Sequence, residues 1–238
     1  MKVALTLALA GVFSAPLYAA DDAARFINQH YQPVSAGEGG VAQWRKAETP
    51  GFVYRRCLDK PISAQQRILV MCGEGDNDNS AGADSGYFDI WYLTGDKAIS
   101  LPGEQGAGRY GQSGDVQAVR IGDQWGVVTK TGYSLQGFTQ DFERYYVRLG
   151  ERIANVATVT VYSDNLGFCD PTEKAGCKQD ELEVKVTFGE MQADKRLPDM
   201  KLTAKGKLEG EAMNKSWSLP FDEKRQRYSV PEALNIHY

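Results

Sequence analysis

Histidine is nearly absent from this chain, and cysteines at metal-binding spacing are absent altogether. The only histidines are His30 and His237. A serine or cysteine hydrolase built on histidine would have to draw one of them from a segment near a chain end, where order is least assured. Cys57, Cys72, Cys169 and Cys177 include no C-x-x-C pair, which argues against a zinc site. Positive charge is not in excess: 27 Lys and Arg face 31 Asp and Glu, for a formal charge of −4. That balance opposes binding to nucleic acid. Beyond the N-terminal residues no apolar run approaches the length of a membrane span; Val156 to Val161 is far too short.

Catalytic signatures are also missing. Gly132-Tyr133-Ser134-Leu135-Gln136-Gly137 brings its second glycine one residue too late for a nucleophile elbow, and Gly111-Gln112-Ser113-Gly114 fails in a similar way. The glycine-rich stretch from Gly103 to Gly114 has neither the Lys-Ser/Thr ending of a phosphate loop nor a strand-to-helix setting. Asp76-Asn77-Asp78-Asn79-Ser80 opens like a calcium loop, but Ala81 replaces the required glycine and Tyr87 stands where the bidentate Glu belongs. No metal and no cofactor is therefore expected, and chelation should leave the protein unchanged. Paired carboxylates leave no spacing signature. Asp84, Asp89, Asp141 and Glu143 are the acidic residues open to such chemistry.

What is present begins with a leader. Lys2, the apolar run Val3 to Phe13, and the small residues Ala19 and Ala20 form a secretory signal pattern. Residues 1–20 are read as cleaved, which removes one positive charge, and residues 21–238 as a single β-rich domain. No cysteine follows the run to carry a lipid. An even number of cysteines in an exported chain predicts two disulfides. The pairing Cys57–Cys72 with Cys169–Cys177 is preferred because each pair brackets one turn-rich stretch.

A short N-terminal helix is expected from Asp21 or Asp22 through Ala24, Ile27 and Tyr31, closed by Pro33. Beyond it the periodicity is close to two. Phe52-Val53-Tyr54, Arg67 to Met71, Tyr87 to Leu93, Val116 to Ile121, Trp125 to Thr131, Ile153 to Tyr162 and Leu182 to Phe188 read as strands. Met200 to Leu208 is a weaker strand, Gly122-Asp123 a hairpin turn, and Trp217 to Phe221 with Arg227 to Val230 a terminal hairpin. Phe138 to Leu149 suits a helix as well as a strand. These features predict a mainly β fold, an antiparallel β-sandwich or partly closed barrel with one short helix.

The candidate recognition residues lie in two places. Arg109 and Tyr110 occupy the middle of the glycine-rich loop and are residue types favoured at interface hot spots. Tyr133, Gln136 and Phe138 belong to the most aromatic stretch of the chain, which continues through Phe142, Tyr145 and Tyr146. The expected function is that of an exported, disulfide-stabilised, non-catalytic binding protein, an inhibitor of an envelope-acting enzyme being one concrete form. Its partner class is a protein, with a glycan second. A carboxylate-dependent hydrolase of an envelope polymer and a calcium-stabilised ligand-binding module are the alternatives.

Overall fold

The structure, a computed structural model, describes residues 18–34, 36–75, 84–106, 109–169, 172 and 176–236. Most of the leader, the Asp76–Ser80 loop, Gly108 and His237 lie outside the described residues. Two antiparallel meanders account for most of the fold. The first sheet runs in the order β1 (Gln32–Val34), β2 (Gln43–Arg45), β3 (Phe52–Pro61), β4 (Gln66–Gly75), β5 (Tyr87–Thr94) and β6 (Lys97–Gln105). The second contains β7 (Asp115–Ile121), β8 (Gln124–Leu135), β9 (Phe138–Leu149), β10 (Arg152–Asp164), β11 (Glu181–Phe188), β12 (Met200–Leu208) and β13 (Glu211–Leu219), again in chain order. A small hairpin, β14 (Phe221–Asp222) and β15 (Arg227–Tyr228), follows. Neither sheet closes on itself, so the sandwich expectation holds and the barrel does not.

The central strand β4 explains the layering. Ile68, Val70 and Cys72 point into the space between the sheets, where they meet Phe88, Ile90, Val127, Tyr146 and Ile153. Leu69 and Met71 point the other way, beneath helix α1 (Tyr18–His30). Both faces are covered, so the strand is a continuous apolar run. Helix α1 docks through Ile27 and Phe26, with the Phe26 and His30 rings 4.6 and 4.9 Å from the Trp91 ring. Pro33 cannot continue the helix, and it lies within β1.

A second core forms where β8, β9 and β10 meet β11 and β12. It gathers Val128, Tyr145, Val159, Leu182 and Leu202 and is closed by Phe221, Tyr228 and Leu234. β10 serves both parts of its sheet: most of its length pairs with β9, and only Tyr162 to Asp164 pairs with β11. Register shifts at Asn155/Ala157 and Thr160/Tyr162 bend it between these tasks.

Both disulfides have the expected pairing, with Cα–Cα separations of 5.8 Å for Cys57–Cys72 and 5.6 Å for Cys169–Cys177. Cys57 is the extra residue at the register shift between Arg56 and Leu58, and that bulge gives it access to Cys72 on the neighbouring strand. Several local expectations change. Phe138 to Leu149 is a strand, because pairing with β8 and β10 outweighs its helical spacing. Lys97–Gln105 is a strand although its polar, glycine-containing sequence gave no sign of one. It takes in Gly103, so the glycine-rich loop begins only after Gln105. β13 begins at Glu211, well before Trp217, because β12 supplies its pairing partner.

Candidate functional site

Two glycine turns shape the site. β8 and β9 are joined by Gln136 and Gly137, both with positive φ (52° and 86°), the backbone of a two-residue type I′ turn. The nucleophile-elbow near-miss at Gly132–Gly137 is therefore the end of a β-hairpin. Against its tip lies the turn after β10. The Phe168 N–H donates to the Gly137 carbonyl at 3.0 Å. A side chain on residue 137 would strike the backbone of Gly167 and Phe168, and one on residue 167 would come within 2.9 Å of Gly137 Cα. Only glycine at both positions permits this approach.

The turn after β10 is held from its other side as well. Asn165 accepts from the Cys169 N–H at 2.8 Å through its carbonyl and from the Asp180 N–H at 2.8 Å through its side chain. Cys169 is buried and tied to Cys177. Two exposed apolar side chains are thereby presented on a fixed backbone.

Alternation along β8 and β9 places Tyr133, Leu135, Phe138 and Phe142 on one face. The Tyr133 and Phe142 rings stack 5.9 Å apart, and Phe138 stacks on Phe168 at 4.7 Å. Leu135, Leu166 and Phe168 remain 61%, 41% and 44% exposed. Together these side chains make an aromatic and aliphatic stripe across the hairpin tip. The Tyr133 hydroxyl donates to Gln140, whose amide donates to the Ile236 carbonyl at 3.0 Å. The stripe is thus anchored to the C-terminal segment.

The Arg109–Tyr110 loop reaches the same hairpin. The Arg109 guanidinium donates to the Ser134 carbonyl, and Tyr110, at positive φ, is 60% exposed. The Gly111 and Gln112 carbonyls accept from the Gly75 and Gly86 N–H groups at 3.0 and 2.8 Å, which fastens the loop to the ends of β4 and β5. Between loop and hairpin runs an open groove of about 690 Å³, lined by Arg109, Gln112, Asp115, Tyr133, Asp141 and Phe142 among others. Arg109, Tyr133 and Ser134 therefore come together. Gln136 occupies the turn itself, and Phe138 lies on its far side against Phe168.

Sequence reasoning passed over Leu135, Leu166 and Phe168. Leu166 and Phe168 stand among turn residues, and an apolar residue inside a turn next to a cysteine was the one available signal. Tyr145 and Tyr146, by contrast, are core: both are buried. Their hydroxyls donate to Glu143 and, at 2.9 Å, to Glu104.

The acidic candidates separate cleanly. Asp89 is fully buried on the first sheet and accepts from Tyr31 Oη at 2.7 Å, Lys46 Nζ at 2.8 Å and the Gly103 N–H at 2.7 Å. Burial, with Asp89 beside it, pushes the Tyr31 hydroxyl far above the ordinary tyrosine range. Burial likewise raises Tyr54 to about 12. This network locks the residue after α1 to β5 and leaves the carboxylate fully engaged. Glu143 binds Lys130 at 3.3 Å as well as Tyr145.

Asp141 differs: it accepts no hydrogen bond and forms no ion pair among the described residues. Burial, followed by the neighbouring Asp164 carboxylate, lifts its carboxyl above the ordinary range. Asp84 is near the loop through its carbonyl, which accepts from the Gly111 N–H at 2.9 Å. Among the described residues no cluster of three His, Cys, Asp or Glu could hold a metal ion, and no helix there is long and apolar enough to cross a membrane. No known protein family, curated protein or solved structure matches this chain.

Proposed function

We propose that this is an exported binding protein whose recognition surface is the tip of the β8–β9 hairpin, together with the Asn165–Cys169 turn and the Arg109–Tyr110 loop. One observation carries the reading: an aromatic and aliphatic stripe stays open to solvent although its backbone is held by a cross-turn hydrogen bond, a glycine–glycine approach and a disulfide. Exposed apolar groups on a rigid support mark interaction sites, because little ordering is lost when a partner covers them. Arg109, Tyr110, Tyr133, Gln136 and Phe138 surround or belong to this surface, and the partner class that suits it is a protein. The leader pattern and two disulfides support export to an oxidising compartment.

The test is capture from a cell-envelope extract with the wild-type protein and with a Leu135→Ser/Phe168→Ser variant, alongside Arg109→Ala/Tyr110→Ala. A stoichiometric partner that both variants lose, at unchanged melting temperature, supports the reading. Equal capture by all three removes it. Hydrolysis by a carboxylate has one observation in its favour, the raised Asp141 carboxyl beside Asp164, without a partner among the described residues. Turnover of purified peptidoglycan that stops in Asp141→Asn would establish that chemistry instead.

A further inference from the structure

The groove beside the hairpin has an unfinished sheet edge as one wall. β7 pairs with β8 from Gln124 to Lys130, starting opposite Asp115, and β8 then continues for five residues to Leu135. Ile121 and Gln124 flank the two-residue turn at Gly122-Asp123, so they form a hydrogen-bonded pair. Alternation then turns the main chain of residues 126, 128 and 130 toward β7, and that of Gly132 and Ser134 in the same direction, past the point where β7 ends. The β9 side agrees: Leu135 and Phe138 flank the other tight turn, so Leu135, Tyr133 and Thr131 bond to β9 while Ser134 and Gly132 face away. Arg109 takes the Ser134 carbonyl. Among the described residues, the Gly132 N–H and C=O and the Ser134 N–H have no backbone partner on this side. Rows of this kind are templates for an added strand.

Side chains around the edge say what that strand carries. Gly132 pairs with Asp141, and the Asp141 carboxylate leans across it into the space a Cβ of residue 132 would need. A residue opposite Gly132 on an added antiparallel strand directs its side chain onto the same face as Asp141. Two strand spacings, roughly 10 Å, separate its backbone from that of β9, and an arginine or lysine covers this distance because Asp141 leans toward it. The cations lining the groove are already occupied, Lys130 by Glu143 and Arg109 by Ser134. Among the described residues Asp141 forms no ion pair, and Asp115 is exposed at the groove wall. The next residue of the added strand, opposite Tyr133, falls on the other face, against the Tyr133–Phe142 stack.

We infer that the partner docks by β-strand addition to β8 at Thr131–Leu135, through an extended segment with a basic residue opposite Gly132 and an apolar or aromatic neighbour. Main-chain bonds supply the register and alternate side chains the selectivity, as in other strand-addition complexes. The inference rests on the binding reading above and adds the chemistry of the partner.

The probe is an end-capped, fluorescein-labelled heptapeptide with a threonine background, a central arginine and flanking tyrosine and valine; its twin carries glutamate in the centre. Fluorescence anisotropy should show the arginine peptide binding wild-type protein at least about tenfold more tightly than the twin, the range of one charge-assisted contact. Asp141→Asn should erase that preference. Ser134→Pro removes an outward N–H from an edge strand, where proline is tolerated, and should abolish binding of both peptides while the melting temperature holds. Slower amide exchange at Gly132 in wild-type protein with the arginine peptide reports the added strand directly, should Ser134→Pro fail to fold. Equal affinity for the two peptides, no binding at millimolar concentration, unchanged Gly132 exchange in the complex, or full binding by folded Ser134→Pro overturns the inference. So does cleavage of the peptide that Asp141→Asn stops. If the peptides fail but Leu135→Ser/Phe168→Ser still loses its captured partner, strand addition alone falls; if that variant captures normally too, the recognition surface falls with it.

Discussion

The two ends of the β8–β9 hairpin carry the same alternation and meet opposite fates. Near its open end, Val127 and Tyr146 are directly paired and completely buried, pressed against Ile68, Val70 and Phe88 of the first sheet. At the closed end Leu135 and Phe138 are also paired, on the same face of the same strands, and Leu135 is the most exposed large apolar side chain among the described residues. Between them Thr129, Thr131 and Tyr133 grade from dry to half-buried while Gln140, opposite Tyr133, stays buried, with Arg144 bridging Thr131 Oγ1 at 3.1 Å and the Gln105 carbonyl at 3.2 Å where the first sheet ends. One apolar stripe is thus a core where a second sheet covers it and a surface where nothing in the described chain does. Hydrophobicity marks a face to be covered; what covers it depends on the rest of the fold.

The comparison breaks most visibly at the buried end. Tyr146→Ala should cost about 3–5 kcal/mol, the range for an aromatic deleted from a packed core, with the Glu104 partner also lost. Urea denaturation measures it, and a cost below 1 kcal/mol would show that the two ends are not energetically distinct.

The disulfides sharpen the contrast next. Replacing Cys57 and Cys72 by serine removes a link closing 15 residues and should cost about 3 kcal/mol. The Cys169–Cys177 link closes only 8 and should cost less in global stability. Its loss should loosen the Asn165–Cys169 turn, seen as faster amide exchange at Phe168 and Cys169. Gly137→Ala comes third, at about 1–3 kcal/mol, because it forces positive φ on alanine and pushes a methyl group into Gly167.

At the tip itself, Leu135→Ser should move stability by no more than about 0.5 kcal/mol, as expected of a surface substitution, while lowering partner affinity. A large loss of stability would mean that Leu135 is covered after all. The smallest effect belongs to Asp141. Its folded-state pKa lies above the unfolded value, so the native state binds the proton more tightly and stability rises as pH falls through the interval between the two. Ionisation above that interval opposes folding. Asp141→Asn should therefore raise stability slightly at neutral pH, by at most a few tenths of a kcal/mol for so exposed a group. That gain should vanish once pH falls below the carboxylate range; thermal melts across acidic and neutral buffers report it.

Much of the fold was legible because its signals are local. Period-two alternation and turn residues marked β4, β5, β7, β8, β10, β11 and β12, and the cysteine pairs were the ones bracketing compact stretches. Lys97–Gln105 escaped because its strand character comes from pairing with β5, not from its own side chains. The candidate site was half legible: Arg109 and Tyr133 were singled out by residue type, and they do converge on one hairpin.

By itself the sequence determined the mainly β composition, the short helix before Pro33 and the aromatic richness around residue 140, since each depends on near neighbours in the chain; it favoured the cysteine pairing without deciding it. Only the tertiary structure decided which aromatic residues became core and which stayed on the surface, that Asp89 is satisfied while Asp141 has no partner among the described residues, and that β8 outlasts β7. Those outcomes turn on where a sheet ends and which donor arrives from a distant strand, and neither is encoded within a few residues of the side chain concerned.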